Sequence, residues 1–241
     1  MAGAKNVIDM RASKGFSPSQ GNEHLRRLDD CERAQKARWN YDPSREHLNF
    51  EIGKGGVVTE VNKSKTINQR IQENLDSRGI VNPNKKYIDQ GLDPKYRTVA
   101  NFILGGNREV MRNLAFGNQK VDWEHGADNT ALKRMPEIEA WAKDAYAFMC
   151  KKYGEQNIAA FVVHLDEANP HVHCTVLPIT KKNKFSFFGV FLKGNNTKDA
   201  LSEYMGSLHT EYAEEVGLKY GMERGDSIKE TGAVHRTTEE Y

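Results

Sequence analysis

The sequence predicts a mixed α/β (α+β) fold, in which a central antiparallel sheet of about five strands carries flanking helices. Three observations support this prediction. Apolar, β-branched runs at 158–163 and 174–178 flank the turn pair Asn169-Pro170, as in a β-hairpin. Apolar and polar residues alternate over 47–52, which is the period of a half-buried strand. Other segments repeat their apolar residues every three or four positions, which is the period of a helix with one buried face.

The remaining elements follow from the same two periods. Apolar residues recur every four positions over 65–77 and indicate a surface helix with one apolar stripe. The helix that begins at Pro136 ends where Gly154 supplies a natural C-terminal stop. In chain order, the predicted elements outside the hairpin are a short helix over 22–34, a strand over 47–52, a helix over 65–77, a strand over 97–104, a short helix over 108–115, a long helix over 136–153, a strand over 185–192 and a helix over 197–216.

Length and composition indicate one globular domain. The chain has 241 residues, of which 28% are charged and 38% hydrophobic. We predict a single domain over 1–222, followed by a polar C-terminal tail over 223–241 that lies along the surface or leads into a further region. There is no apolar run of membrane-spanning length, no signal-peptide core and no patterned cysteine pair, so we expect a cytoplasmic protein.

The charge of the chain does not identify a partner by itself. A formal net charge of +2 is too small to indicate a nucleic acid, although it leaves room for a local basic groove. The lysines over 181–198 form the one clear local excess of positive charge. That excess suits phosphate groups, and it suits an ordinary solvated turn equally well.

The most informative stretch is 164–173, which holds three histidines and two carboxylates. Side chains two apart on a strand share a face, so His171 and His173 point together, and the partner strand brings His164 alongside them. Three neutral imidazoles that meet at one point are the usual ligands of a divalent transition metal with an open coordination position. We therefore predict a metal site at the hairpin.

Two other interpretations of these histidines carry less weight. A surface cluster without a ligand would leave three imidazoles to repel one another when protonated, whereas a metal removes that repulsion. A structural zinc site normally takes a fourth protein ligand and often recruits cysteine. Cys31, Cys150 and Cys174 have no CxxC spacing, and Cys174 points to the opposite face from His173. An open, catalytic metal site is the better prediction.

Three sequence blocks resemble the MobV (Mob/Pre) family of plasmid mobilisation relaxases, in the HUH endonuclease superfamily. HLDEANPHVH at 164–173 is similar to the family signature HxDExxPHxH, and the residues from Tyr153 onward match the family's approach to it. SREHLNFE at 44–51 resembles the block SRxHLNxE. His24 opens a block similar to HNxR, with Leu25 where asparagine is common. The resemblance covers roughly 20 to 180 and implies an HUH relaxase-like fold.

The resemblance implies a function in DNA transfer. A relaxase nicks one strand at an origin of transfer for the conjugative mobilisation of a plasmid or mobile element. Carried over to this chain, the nucleophile is His24, which would form a covalent 5′-phosphohistidine and leave a free 3′ hydroxyl. The implied partners are single-stranded and hairpin DNA at the origin, together with a coupling protein and accessory mobilisation proteins.

The resemblance also implies roles for individual side chains. A divalent metal, Mn²⁺ or Mg²⁺, would be held by His164, His171 and His173. Glu167 is expected to orient the nucleophile and to stabilise the cation that forms, and Asp166 is expected to support a metal ligand. Along the DNA we expect Arg27 as a phosphate clamp, and Asn49, Phe50 and Tyr153 as the lining of the path, with aromatic rings stacked on unpaired bases.

Other functions remain open at this point. A metal-dependent phosphodiesterase that activates water would not need His24. A replication initiator or transposase of the same superfamily would use a tyrosine, and Tyr41 is the only tyrosine in the first 86 residues. A DNA-binding module without activity is a weaker alternative, because a binding groove does not need three metal ligands.

Overall fold

A six-stranded antiparallel sheet organises the chain in this computed structural model, which describes residues 3–38 and 41–226. The strands are β1 (Asn6–Ser13), β2 (Phe50–Gly53), β3 (Val57–Glu60), β4 (Val99–Gly106), β5 (Ile158–His164) and β6 (His171–Val176). Their spatial order is β1-β4-β6-β5-β2-β3. The predicted hairpin is therefore confirmed as β5 and β6, and it lies at the centre of the sheet.

Eight helices flank the sheet in the described part of the chain. They are α1 (Pro18–His24), α2 (Asp30–Lys36), α3 (Ile67–Ser77), α4 (Lys85–Ile88), α5 (Arg108–Phe116), α6 (Pro136–Tyr153), α7 (Phe187–Phe191) and α8 (Lys198–Glu215). The predicted helices over 65–77, 108–115, 136–153 and 197–216 are confirmed to within a few residues. No helix in the described ranges is both long enough and apolar enough to cross a lipid bilayer.

The predicted strand over 185–192 is wrong, because this segment forms α7. Phe187 and Phe191 are both buried, and a spacing of four residues places them on one side of a helical turn. The side chain of Ser186 caps the turn by accepting a hydrogen bond from the amide of Gly189. The sheet reaches six strands through β1 and β3, two edge strands that we did not predict.

The predicted helix over 22–34 is also wrong in part, because the segment forms two helices, α1 and α2, with a non-helical turn between them. Arg26 adopts a left-handed backbone conformation with φ of 51°, which an α-helix cannot continue. Asp29 then starts α2 by accepting a hydrogen bond from the amide of Glu32, whose side chain bonds back to the Asp29 amide. The break separates the end of α1 from α2 and turns Arg26 toward the interior.

The two faces of the sheet pack against different helices. On the first face, α5, α6 and α8 bury a large core against residues such as Phe102, Phe161 and Cys174. On the second face, α1 and α3 pack over a smaller apolar group that includes Val162. Because Cys174 points into the first core, its neighbour His173 faces the second side.

The second face is covered over only part of its width. Helices α1 and α3 lie over the β5 side, but Val7 on β1 and Ile103 on β4 remain 43% and 37% exposed. Ile103 pairs directly with His173 in the register of β4 and β6. The histidines therefore lie at the border between a covered half of the face and an open half.

The C-terminal part of the described chain returns to β1. The amide of Glu223 donates to the carbonyl of Ala4, and the amide of Asn6 donates to the carbonyl of Glu223. The division of the chain at 222 and 223 stays a prediction. Residues 227–241 of the predicted tail lie outside the described residues.

Candidate metal centre and active site

The central hairpin brings the three predicted metal ligands together. Strand register places His164 opposite His171, and His173 lies two residues further along the same face. One nitrogen from each ring lies within 4.8 Å of the others. The antiparallel pairing across the short turn is therefore sufficient to converge all three side chains.

Hydrogen bonds to the outer nitrogens fix how these rings face one another. His171 Nδ1 lies 2.9 Å from the carbonyl oxygen of Asn169, which leaves Nε2 facing inward, 2.9 Å from His173 Nε2. His164 Nε2 lies 2.9 Å from the carbonyl oxygen of His24, which leaves the Nδ1 lone pair free. That Nδ1 atom is buried and has no hydrogen-bond partner among the described residues. Backbone carbonyls that orient imidazoles in this way are typical of metal sites, so the residues fit a divalent cation.

His24 lies directly against this group, although it is distant in sequence. It is the last residue of α1, is 4% exposed, and stacks on His173 with ring centroids 4.0 Å apart and an angle of 21° between planes. Burial, together with the nearby His164 and His171, lowers the pKa of His24 to about 3. The ring is therefore neutral at physiological pH, as an attacking nitrogen must be. The structure brings His24 to the trio, and its role as nucleophile stays a prediction.

The two carboxylates of the hairpin form ion pairs with a buried arginine. Both oxygens of Asp166 lie 2.7 Å from nitrogens of Arg26, and Glu167 Oε1 lies 2.6 Å from Arg26 Nη2. Glu167 Oε1 is also 3.7 Å from His164 Nδ1. Burial alone would raise the pKa of Glu167, but His171 and Arg26 outweigh that effect and hold the pKa well below its ordinary value. Glu167 is therefore a carboxylate anion beside the imidazoles.

Asp166 lies beside the metal site, with a carboxylate oxygen within 4.8 Å of a nitrogen of His164. Its side chain is fully buried and accepts hydrogen bonds from Arg26 and from the side-chain amide of Asn49. It makes no hydrogen bond to an imidazole within the described ranges. Asp166 therefore anchors the loop of the hairpin to two upstream segments, and its support of a metal ligand stays a prediction.

Arg26 is the main residue that the sequence interpretation missed. The resemblance implied a phosphate-clamping role for Arg27, which is exposed, and no role for Arg26, which is only 2% exposed. Two consecutive arginines at a helix break carry no sequence signal for which of them points inward. The left-handed conformation of Arg26 decides this, because it turns the guanidinium toward Asp166 and Glu167.

The segment from Asp42 to Asn49 holds the same loop by hydrogen bonds to the backbone of Leu165 and Asp166. Arg45 Nη1 donates to the carbonyl of Leu165 at 2.6 Å, and the Asn49 side chain accepts from the amide of Leu165 at 2.7 Å. The amide of Asp42 donates to the carbonyl of Asp166 at 2.7 Å. Asn49, which we expected along the DNA path, is buried and serves instead to position this loop.

The structure also does not place Phe50 and Tyr153 where unpaired bases could stack on them. Phe50 is 0% exposed and pairs with Val163, which directs its ring to the first face, opposite the histidines. Tyr153 is buried 5.3 Å from the ring of Phe102, and its hydroxyl bonds to Tyr204. Both rings are core residues, because strand alternation and helix periodicity turn them away from the site.

This assignment predicts the effect of Phe50→Ala. Removal of a fully buried ring is expected to lower the free energy of unfolding by about 3–5 kcal/mol, as for other phenylalanine truncations in cores. Phe50→Leu, which keeps most of the buried volume, is expected to cost much less and to bind single-stranded DNA like the parent. Urea unfolding and fluorescence anisotropy measure the two effects. A stable Phe50→Leu protein with strongly reduced DNA affinity would return Phe50 to the DNA path.

Tyr41, the tyrosine considered as an alternative nucleophile, lies beside Arg26 and Glu167, and its hydroxyl is engaged in hydrogen bonds. Its ring is 5% exposed, and its hydroxyl bonds to Glu46 and accepts a hydrogen bond from Arg33 at 2.9 Å. Burial and the neighbouring Glu46 raise its pKa above the ordinary value. A hydroxyl that loses its proton less readily than usual is a poor nucleophile.

Comparison with known proteins gives a consistent family. The family model described as plasmid recombination enzyme, Mob_Pre, matches residues 117–241. A plasmid recombination enzyme type 3 of Staphylococcus aureus is 33% identical over 164 residues, which cover 67% of this chain and 36% of that protein. A type 1 enzyme of the same species is 33% identical over 184 residues, which cover 74% of this chain and 41% of that protein. The chain thus spans about two fifths of the length of these relatives.

Solved structures show the same fold. The MobM relaxase domain (MOBV; Mob_Pre), solved with Mn bound and in complex with plasmid pMV158 oriT DNA, has a TM-score of 0.67 and 19% identity. The match covers 98% of this chain and 96% of that domain. The sheet, the hairpin and the flanking helices therefore have the same fold as the MobM domain. The family model matches more than half of the residues of the chain, and the chain therefore belongs to the Mob_Pre family of plasmid recombination enzymes.

Proposed function

We propose that this chain is a relaxase that nicks one DNA strand at an origin of transfer, through a covalent 5′-phosphohistidine on His24, for conjugative mobilisation. One observation carries the proposal more than any other. A buried imidazole with a pKa of about 3 is stacked on His173, one of three converging imidazoles. An isolated metal site for hydrolysis by water has no need of that fourth ring.

The proposed cofactor is a divalent cation, Mn²⁺ or Mg²⁺, held by His164, His171 and His173. The inward-facing nitrogens of His164 and His171 support it, and the related MobM domain was solved with Mn bound. When bound, such a cation polarises the scissile phosphate and offsets the negative charge that develops on it. Three imidazoles alone would favour softer metals, so the metal available in the cell decides between the candidates.

The chain's own residues supply the nucleophile and its support. A neutral nitrogen of His24 attacks phosphorus, a P–N bond forms, and the P–O3′ bond breaks. The 3′ oxygen leaves with the electron pair of that bond and takes a proton from solvent. The ring carries positive charge as the bond forms, and the negative charge of Glu167 stabilises it, since Glu167 raises the pKa of His24 against the other influences on it.

We propose DNA as the partner along the open half of the second face. That half borders the histidines, since exposed Ile103 pairs with His173. The exposed Arg27 beside the nucleophile is available to clamp a phosphate. Single-stranded and hairpin DNA at an origin are the proposed ligands, and a coupling protein and accessory mobilisation proteins are the proposed partners in the cell.

The proposal is tested with a supercoiled plasmid that carries the chain's own origin of transfer, incubated with Mn²⁺, with Mg²⁺ and with a chelator. We expect relaxed plasmid only in the presence of the cation, with protein attached to the 5′ end. The bond should break in acid and survive alkali, as a phosphoramidate does. An adduct that survives acid would indicate a tyrosine ester, and relaxed plasmid without any adduct would indicate hydrolysis by water. Either result would exclude the phosphohistidine.

A further inference from the structure

One end of the sheet carries exposed lysines among exposed aromatic and aliphatic side chains. It lies where β1 ends and β4 begins, and it is formed by Lys14, the loop 81–97 and the turn 181–188. We call this surface the basic end. Its exposed cationic residues are Lys14, Lys85, Lys86, Lys95, Arg97, Lys181, Lys182 and Lys184. Only two acidic residues, Asp89 and Asp93, belong to it, and Asp89 is paired with Lys85 at 2.7 Å.

The loop of the basic end is held in place by one buried amide. Asn84 is 0% exposed, and its Nδ2 donates to the carbonyl oxygens of Lys14 and Tyr96 at 2.7 Å each. Its Oδ1 accepts from the amides of Lys95 and Tyr96. All the hydrogen-bonding capacity of this side chain is used to close the loop against the end of β1. The exposed side chains are therefore presented in a fixed arrangement, which lowers the entropy lost on binding.

Exposed apolar groups lie among the lysines. Tyr96 is 43% exposed and Phe188 is 37% exposed. A groove of about 470 Å³ beside Tyr96 is lined by Val81, Lys85 and Lys86, among others. Arg97 joins the loop to the turn, since its guanidinium carbon lies 5.1 Å from the centre of the Phe187 ring. Exposed rings interleaved with cationic side chains are the composition of surfaces that bind single-stranded nucleic acid.

The basic end is connected to the active site by one strand. β4 begins at Val99, beside this surface, and reaches Ile103, which pairs with His173. Four residues of strand span about 14 Å. Between them on the second face, Asn101 is half-buried and pairs with the exposed Arg11 of β1, so the open half continues along β1 toward Lys14. A DNA strand that leaves the active site along this half therefore reaches the basic end within a few nucleotides.

We infer that the basic end binds the single-stranded DNA that continues beyond the nick site, through phosphates on its lysines and through bases stacked on Tyr96 and Phe188. This inference rests on the proposed function, because it takes DNA as the partner. A protein partner would have to be strongly acidic to match this excess of positive charge. A double helix would hide its bases from the exposed rings, so single-stranded DNA fits both features of the surface.

The test measures the affinity of the full chain for fluorescein-labelled dT20 by anisotropy over a range of salt concentrations. The double variant Lys86→Ser/Lys95→Ser should lower the slope of log affinity against log salt by about 1.4, since each phosphate contact in single strands contributes about 0.7. Tyr96→Ala/Phe188→Ala should weaken dT20 binding about thirtyfold or more at fixed salt, since each stacked base contributes at least about 1 kcal/mol. The matched control is Lys54→Ser/Lys143→Ser, which removes two exposed lysines outside the basic end and should leave the slope unchanged.

Two results would overturn the inference. One is unchanged dT20 binding in both basic-end variants, with folding verified by circular dichroism. The other is a larger loss of affinity for a 20-base-pair duplex than for dT20, which would make the basic end a duplex site. Metal-dependent nicking by the parent chain separates this inference from the proposed function. If the parent chain nicks the plasmid while the variants bind dT20 normally, only the inference is wrong. If the parent chain never nicks the plasmid, the proposed function itself is wrong.

Discussion

Replacement of His24 by phenylalanine is expected to abolish the covalent protein–DNA adduct and to lower the nicking rate by roughly 10³-fold or more. The variant keeps an aromatic ring that can stack on His173 and contact Phe16, as His24 does. It also keeps the backbone carbonyl of residue 24 that accepts from His164. What it removes is the attacking nitrogen, so binding of metal and of DNA should persist while chemistry stops.

The matched variants make this result specific. His24→Ala should lose the adduct in the same way, with an additional loss of stability because a buried ring is removed. Tyr41→Phe should retain the adduct, since the Tyr41 hydroxyl is engaged by Glu46 and Arg33. Denaturing gels of 5′-labelled DNA report the adduct, and calorimetric titration of Mn²⁺ reports the metal site. Undiminished nicking by His24→Phe would mean that water is the nucleophile, and an adduct lost only in Tyr41→Phe would assign the attack to tyrosine.

The second large effect is expected to separate two neighbouring arginines. Arg26→Met should destabilise the protein by about 3–5 kcal/mol, because it leaves the fully buried carboxylate of Asp166 without its partner. Arg27→Met should leave the free energy of unfolding nearly unchanged, because Arg27 is exposed. It should instead weaken DNA binding and lower the salt dependence by the contribution of about one phosphate contact. Urea unfolding and anisotropy titrations measure the two effects.

Further variants keep this prediction decisive if Arg26→Met does not fold. Arg26→Lys retains the charge but loses the planar fork that reaches both carboxylates, so an intermediate loss of stability is expected. Asp166→Asn in the Arg26→Met background should recover part of the loss, since the unpaired charge disappears. Equal losses of stability at Arg26 and Arg27 would contradict the role of Arg26 as the anchor of the hairpin loop.

The parts of this site that depend on interactions between residues close in sequence could be predicted, and the parts that depend on tertiary packing could not. The convergence of His164, His171 and His173 depends only on strand alternation and a short turn. Their spacing within ten residues was therefore enough to predict it. The position of His24 depends on tertiary packing, and only the resemblance to a family linked it to the hairpin. Its proximity to His173 is now a structural observation.

The errors arose where a long-range contact overrides a local pattern. Arg26 was missed because a single left-handed residue, selected by ion pairs with Asp166 and Glu167, determines which arginine is buried. Phe50 was misplaced because the role drawn from the resemblance overrode the alternation of its strand, which puts Phe50 on the apolar, buried side. The edge strand β1 was missed because it alternates weakly and is exposed in part, with Val7 43% exposed.

The hydrogen bond from His164 Nε2 to the carbonyl of His24 joins cation coordination to the docking of the nucleophile. While its outer nitrogen donates to that carbonyl, the same ring keeps its inner nitrogen unprotonated and able to coordinate a cation. Thermodynamic reciprocity then requires that the ion favour the seated end of α1 by the same factor by which a seated α1 favours the ion. The end of α1 would in that sense respond to a bound cation, and the imidazole proposed as the nucleophile would be held in place most firmly when a cation is bound.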